Sequence, residues 1–317
     1  MKPELVKYKY PILIFGGLLL LALVLGISLR EVKTPDKNTS NLTSITVKSN
    51  NNPSMDDTKN IQNAINLINE KGGGTVKFSK GTYYIDALQS LHLRSNVTLD
   101  FDKGVILKAL PNSSSSYEII RINNVTDVTL NGHVNIIGDR KEHQGNTGEW
   151  GMGISIKGSN NITINDVRIS DCWGDGIYIG SSDSNQTNTN ISINNPVLDN
   201  NRRQGISVIS AINLKIVKPY ITNTNGTKPA SGIDLEPNNK MERMQNISIL
   251  NPSTKGNQGY GFILSLEHLR GSKFPVSIYV NDTSKLKDGF KIYDRGDVVG
   301  KITVGKEFLY ILKEKRE

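Results

Sequence analysis

The sequence is short of the residues that usually announce chemistry. Its single cysteine, Cys172, rules out a disulfide within the chain, and four histidines and that one thiol form no pattern of the kind that holds zinc. No Asp-rich calcium loop is evident either. Two tryptophans and 6% aromatics in 317 residues leave no basic stripe interleaved with rings, and none of the usual nucleic-acid modules occurs, so no nucleic-acid partner is expected. The net charge of +8 comes from lysines and arginines along the whole chain that gather at its two ends. That distribution favours solubility and attraction to a wall or membrane surface. A hydrophobic fraction of 36% still suffices for one large, turn-rich folded domain.

Long apolar runs are absent apart from residues 11–28, PILIFGGLLLLALVLGIS. A helix of that length reaches roughly 27 Å, enough to cross one hydrocarbon core. Lys2, Lys7 and Lys9 precede it and Arg30 follows, which orients the N-terminus inward and the remainder outward. The expectation is a single-pass membrane protein with an extracellular C-terminal domain. Gly26 and Ser28 could serve a signal-peptide cleavage site instead, but the run is long for that role and lacks an A-x-A site. Residues 31–52, rich in Asn, Ser, Thr and Lys, read as a polar tether. The folded domain is then expected over 53–317, with a C-terminal cap.

That domain opens with Asp56 and Asp57 as helix-capping residues, Ile61, Ala64, Ile65 and Ile68 at helical spacing, and a Gly72–Gly74 stop. A short cap helix follows, then strands at 75–78 and 82–85. Beyond it two phrases alternate. One begins with Asn and an alternating strand, as in NVTLDF at Asn96, NITINDVRI at Asn161, NISINNPVL at Asn190, NLKIVKPYI at Asn213 and NISILNPST at Asn246, with DVTLNGHVNI at Asp127 related. The other is GISI at Gly153, GIYI at Gly176, GISV at Gly205, GIDL at Gly232 and GFIL at Gly261, at intervals of 23, 29, 27 and 29 residues. Regular short strands at this period describe a right-handed parallel β-helix, an all-β solenoid whose coils stack their Ile, Val and Leu. The repeated Asn then marks a turn ladder between coils, and the N-x-S/T matches are by-products of that turn rather than glycosylation sites.

The opening DDTKNIQNAINLINEKGGGTVKFSKGTYYI resembles the start of the pectate-lyase-like superfamily, shared by rhamnogalacturonase/epimerase-type β-helices and phage tailspikes. GDGIYIGSS, NNRRQGISV and SGIDLEPNN are similar to segments of polysaccharide-processing β-helices, and NNRRQGISV to a coil of the mannuronan C5-epimerases. The resemblance covers Asp56 to about Leu266 and implies this fold and a polysaccharide partner. The epimerases carry Tyr, Asp and His in a Y-G-F-D-P-H-E strand; SGIDLEPN keeps Asp234 but has Ser231 and Glu236 at the Tyr and His positions. The paired aspartates and histidine of polygalacturonases are also missing.

With isoleucines inward, the second residue after each glycine points outward: Ser155, Tyr178, Ser207, Asp234. Glu236 shares the face of Asp234, and Asp171, Trp173, Asp175, Arg202 and Arg203 occupy the turns that lead into these strands, as does Trp150. Asp175, Asp234 and Glu236 are therefore the candidate catalytic carboxylates. Asp171, Trp173, Tyr178, Arg202, Arg203, Trp150 and His143 are the candidate substrate-binding residues. The plainer alternative keeps Asp175 as a turn residue and pairs Arg202 and Arg203 with Asp199 or Asp175.

Glycosidic hydrolysis needs one carboxylic acid and one carboxylate, which these columns supply. Lyase or uronate C5-epimerase chemistry would instead use Arg202, Arg203 and Tyr178 around an anionic sugar. A surface protein that binds glycan without turnover is the third reading. No cofactor is implied, although a calcium ion at Asp171 and Asp175 would favour a lyase. The sugar and the oligomeric state are not legible.

Overall fold

The computed structural model describes residues 43–184, 186–293 and 298–305, with the backbone of 308–312. Each turn of the chain lays down three short strands, one in each of three sheets of eleven, eight and seven strands, and neighbours in a sheet come from successive coils. Among the described residues every pairing is parallel except that of Gly300–Val304 with Phe308–Leu312, an antiparallel pair at the C-terminal end. This is a parallel β-helix, as the repeats predict.

Alternation sets the core. In Val97–Phe101 the residues Val97, Leu99 and Phe101 are buried while Thr98 and Asp100 are half-buried. In the eight-stranded sheet Ile154, Ile177, Ile206, Ile233, Phe262 and Phe290 stand in one register column. Ile164, Ile177, Ile179, Ile206, Val208, Ile233 and Leu235 are all 0% exposed, so the inward phase read from the repeats holds.

The recurring glycine of G-I-x-I has a steric origin. A Cβ at Gly205 would lie 2.4 Å from Ile221 Cγ2 and 2.5 Å from the Gly232 carbonyl oxygen. At this corner the chain passes too close to the seven-stranded sheet for any side chain. The recurring asparagine is a left-handed turn residue: Asn96, Asn161, Asn190, Asn213 and Asn246 have φ of 63, 57, 56, 58 and 52°, a region that Asn tolerates better than most residues. Asn246 Nδ2 donates to Asn213 Oδ1 and Asn213 Nδ2 to Asn190 Oδ1, each at 2.9 Å. The expected ladder is present.

Helix α1, Thr58–Glu70, buries Ile61, Ala64, Ile65 and Ile68 over the first coils. Its two leading aspartates divide the work. Asp56 Oδ1 accepts from the Thr58 N–H at 2.8 Å, while the buried Asp57 carboxylate accepts from Asn50 and from the Tyr84 N–H.

Two expectations are corrected. The tether does not extend to residue 52, because Ser44–Val47 pairs with Gly74–Phe78 as the first strand of the eleven-stranded sheet; the SITV alternation was masked by its Asn- and Ser-rich flanks. The single-pass membrane location is also not upheld. Among the described residues no helix is long and apolar enough to cross a membrane, and residues 11–28, on which the expectation rested, lie outside the described residues.

Candidate functional site

The outward column of the eight-stranded sheet runs Arg121, Ser155, Tyr178, Ser207, Asp234, Ile263, Lys291. Ser155, Ser207 and Asp234 face outward yet are no more than 1% exposed, because small side chains on a pleated surface are overlain by long ones from neighbouring turns. Arg203 is the main cover. Its Nη2 lies 2.8 Å from Glu236 Oε1, its Nη1 3.3 Å from Asp175 Oδ2, and its Nε 3.8 Å from Glu149 Oε2. Three carboxylates from three coils thus surround one guanidinium.

Asp175 is wholly buried and also accepts from Ser207 Oγ at 2.8 Å. Burial pushes its carboxyl up to about 7, against the pull of Arg203. It anchors Arg203 from below and does not reach the surface. Asp234 lies one coil further on. Its Oδ2 accepts from Gln204 Nε2 at 2.9 Å, while Oδ1 is buried with no hydrogen-bond partner among the described groups. Burial first, and the Glu236 charge second, raise its carboxyl to about 8. Gln204 is fixed in turn, because its Oε1 accepts from the Ser231 N–H at 3.0 Å.

Asp234 and Glu236 line a cleft of about 610 Å³ together with Tyr260, Ile263, Tyr293 and Lys228. Tyr260 and Tyr293 meet edge to face at 6.4 Å and are 37% and 41% exposed, a pair of rings open to a ligand. Polar groups, aromatic rings and a perturbed acid in one concavity are what a substrate site requires.

The other residues expected in the site are distributed differently. Trp173 is clasped between the His143 ring, stacked at 3.9 Å, and the Arg202 guanidinium, 3.9 Å from the ring centroid; two planar groups at that distance must take opposite faces. His143 has a fully buried side chain, with Nδ1 2.8 Å from Asp139 Oδ2, and Asp139 also accepts from Tyr117 and Asn112. Arg202 Nη1 donates to the Gly148 carbonyl at 2.6 Å. These groups pack on one another and hold the loop before Trp150. Asp171 is a left-handed turn residue (φ 57°) that accepts from Asn200 Nδ2 at 2.6 Å and pairs with Lys141. Asp171 and Asp175 therefore turn to different partners.

Tyr178 is packed over Gly180, where a Cβ would come within 2.4 Å of its ring, with Lys157 Nζ 5.5 Å above; burial moves its hydroxyl up to about 12. Trp150 is 49% exposed and next in sequence to Glu149. Sequence reasoning missed Gln204, Tyr260, Tyr293 and Lys228. Gln204 and Tyr260 each precede a repeat glycine, the slot that Asp175 fills one coil before the first and three before the second, so a signal existed for both.

No family model matches the chain. It is 32% identical over 250 residues to the uncharacterised protein YclG of Bacillus subtilis, a match that takes in 67% of this chain and 43% of that protein. The chain thus spans less than half the length of that relative. Among solved structures it is similar to the tailspike gp49 of Acinetobacter baumannii bacteriophage Fri1, described as a capsular polysaccharide depolymerase, with TM-score 0.54, 15% identity, and coverage of 84% of this chain and 47% of the tailspike. The tailspike of E. coli bacteriophage HK620, solved with a pentasaccharide, gives TM-score 0.51 at 13% identity, covering 82% of this chain and 49% of the other. At such identity the likeness is one of fold, and by that fold the chain is a parallel β-helix protein.

Proposed function

We propose that the chain cleaves glycosidic bonds in a polysaccharide lying across the coils of the eight-stranded sheet. Asp234 is the general acid and Glu236 the carboxylate that activates water or attacks the sugar. The observation that carries this reading is the pair itself: a buried aspartic acid raised to about 8, two residues from a carboxylate held on a guanidinium at 2.8 Å, both lining one cleft. A carboxyl raised by burial, beside a second carboxyl paired with an arginine, suits acid and base roles at one bond.

Asp234 would give its proton to the leaving oxygen, and its unpartnered Oδ1 is the atom free to do so. Arg203, fixed by Asp175 and Glu149, holds Glu236 in place. Tyr260 and Tyr293 offer faces and edges against which sugar rings can pack. The Fri1 tailspike, described as a depolymerase, supports the scaffold's suitability for such chemistry.

The deciding experiment incubates the chain with a panel of polysaccharides and follows both reducing ends and the ultraviolet absorbance of unsaturated uronates. New reducing ends without absorbance are the expected result. Absorbance would replace hydrolysis with elimination, and binding without either product would make the protein a glycan-binding one.

A further inference from the structure

The charge arrangement of the same cleft bears on which glycans it admits, and the inference rests on the hydrolytic reading above. Arginine at a sugar site ordinarily suggests a receptor for uronate or phosphate, since its fork matches such anions two bonds at a time. Here both Nη atoms already face carboxylates of the chain, and only Nε lacks a hydrogen-bond partner. One Nη faces Glu236 at 2.8 Å, the other faces Asp175 at 3.3 Å, and Nε looks towards Glu149 at 3.8 Å. The side chain is 14% exposed, and a sugar carboxylate binding its Nη2 would compete with Glu236, itself needed in the reaction.

The rest of the lining offers an anion little. Glu267 adds a further carboxylate, with His268 Nε2 3.9 Å from it, and the exposed Lys228 is the one lysine among the lining residues. Asp234, kept protonated by burial, presents a donor to a hydroxyl or acetal oxygen rather than a charge. Lys157 and Arg121, two cations further along the ridge, both pair with Glu118, and Lys291, on the other side of the cleft, lies 5.4 Å over the Tyr293 ring.

We infer that the cleft at Asp234 and Glu236 selects an uncharged stretch of glycan, one of neutral or N-acetylated sugars, and discriminates against uronates and other acidic sugars. Arg203 is a positioning residue for Glu236 and not an anion receptor.

The test uses the full-length chain and a panel of acidic and neutral bacterial polysaccharides in affinity electrophoresis, each acidic polymer run as isolated and after carbodiimide–borohydride reduction of its carboxylates to alcohols. For any polymer retained, the neutral or reduced form should bind at least about tenfold more tightly, with little change in affinity as salt rises, because no ion pair forms. Glu236→Gln, which frees part of the guanidinium, should narrow that preference by strengthening binding of the acidic form. Arg203→Lys should retain more turnover than Arg203→Ala while leaving the order of glycans unchanged. Tighter, salt-sensitive binding of the unreduced acidic polymer, abolished in Arg203→Ala, would overturn the inference and leave hydrolysis standing. Failure to retain any polymer would overturn the carbohydrate reading itself.

Discussion

At the scale of single residues, Asp234 is the group on which the proposed chemistry turns. Replacing it by Asn keeps an acceptor for Gln204 and removes the proton, so turnover should fall by about 10²–10⁴ while the melting temperature stays near that of the parent. Glu236→Gln should behave similarly, measured on whichever polysaccharide the parent cleaves. A full-rate Asp234→Asn protein would end the assignment.

Acidity supplies a second measurement. Because Asp234 sits near 8 in the folded protein and near the ordinary aspartate value when unfolded, the folded state binds more protons between those values. Stability therefore falls as pH rises through that window, the reverse of the usual aspartate behaviour, and Asp175, raised to about 7, acts in the same direction. Melting temperature should decline from about pH 5 to pH 9 in the parent and decline less in Asp234→Asn, while the rate should drop above about pH 8.

Asp234 was legible because a charged residue in a strand of inward isoleucines has to be accounted for, and Asp175, Arg203 and Glu236 because they flank such strands. His143, Trp173 and Arg202 were not legible in their actual role. Nothing in sequence says that a histidine, a tryptophan and an arginine from separate turns will stack on one another.

At the scale of elements, periodicity did most of the work, since a two-residue alternation leaves a strand only one way to face a core. The eleven- and seven-stranded sheets were harder to separate. NITINDVRI holds two strands, Asn160–Asn165 and Arg168–Ser170, bent apart at Asp166 with φ 56°, and the bend interrupts the apolar rhythm by a single polar residue. The glycine corners make a sharper demand than the strands do. Gly205→Ala places a methyl 2.4 Å from Ile221 and against a backbone oxygen, so it should cost about 1–3 kcal/mol by overpacking. Urea unfolding would read that loss, and an unchanged midpoint would mean that the corner can open.

At the scale of the molecule, each coil touches only its neighbours, so disturbances should stay local. Leu99 and Ile233 are both 0% exposed, and truncation of either to Ala should cost roughly 2–5 kcal/mol. Leu99 lies five coils from Met244–Leu250 along the eleven-stranded sheet, about 24 Å at strand spacing. Only Ile233→Ala, directly beneath Asp234, should alter KM; an equal effect from Leu99→Ala would show that the solenoid transmits strain along its axis.

The asparagine ladder also decides where this protein can be made. Asn96, Asn161, Asn190 and Asn246 each begin an N-x-S/T sequence, and Asn161 and Asn190 sit on adjacent strands, about 4.8 Å apart. A secretory host that modifies such sites acts on the chain before its coils close. Two branched sugars have no room on neighbouring rungs, and Asn190 Nδ2, once substituted, would keep a single N–H and a bulky group where it now donates to Asn160. Material from a yeast or mammalian secretory pathway should therefore be retained or aggregated, whereas the same chain with Asp or Gly at those rungs should be secreted folded.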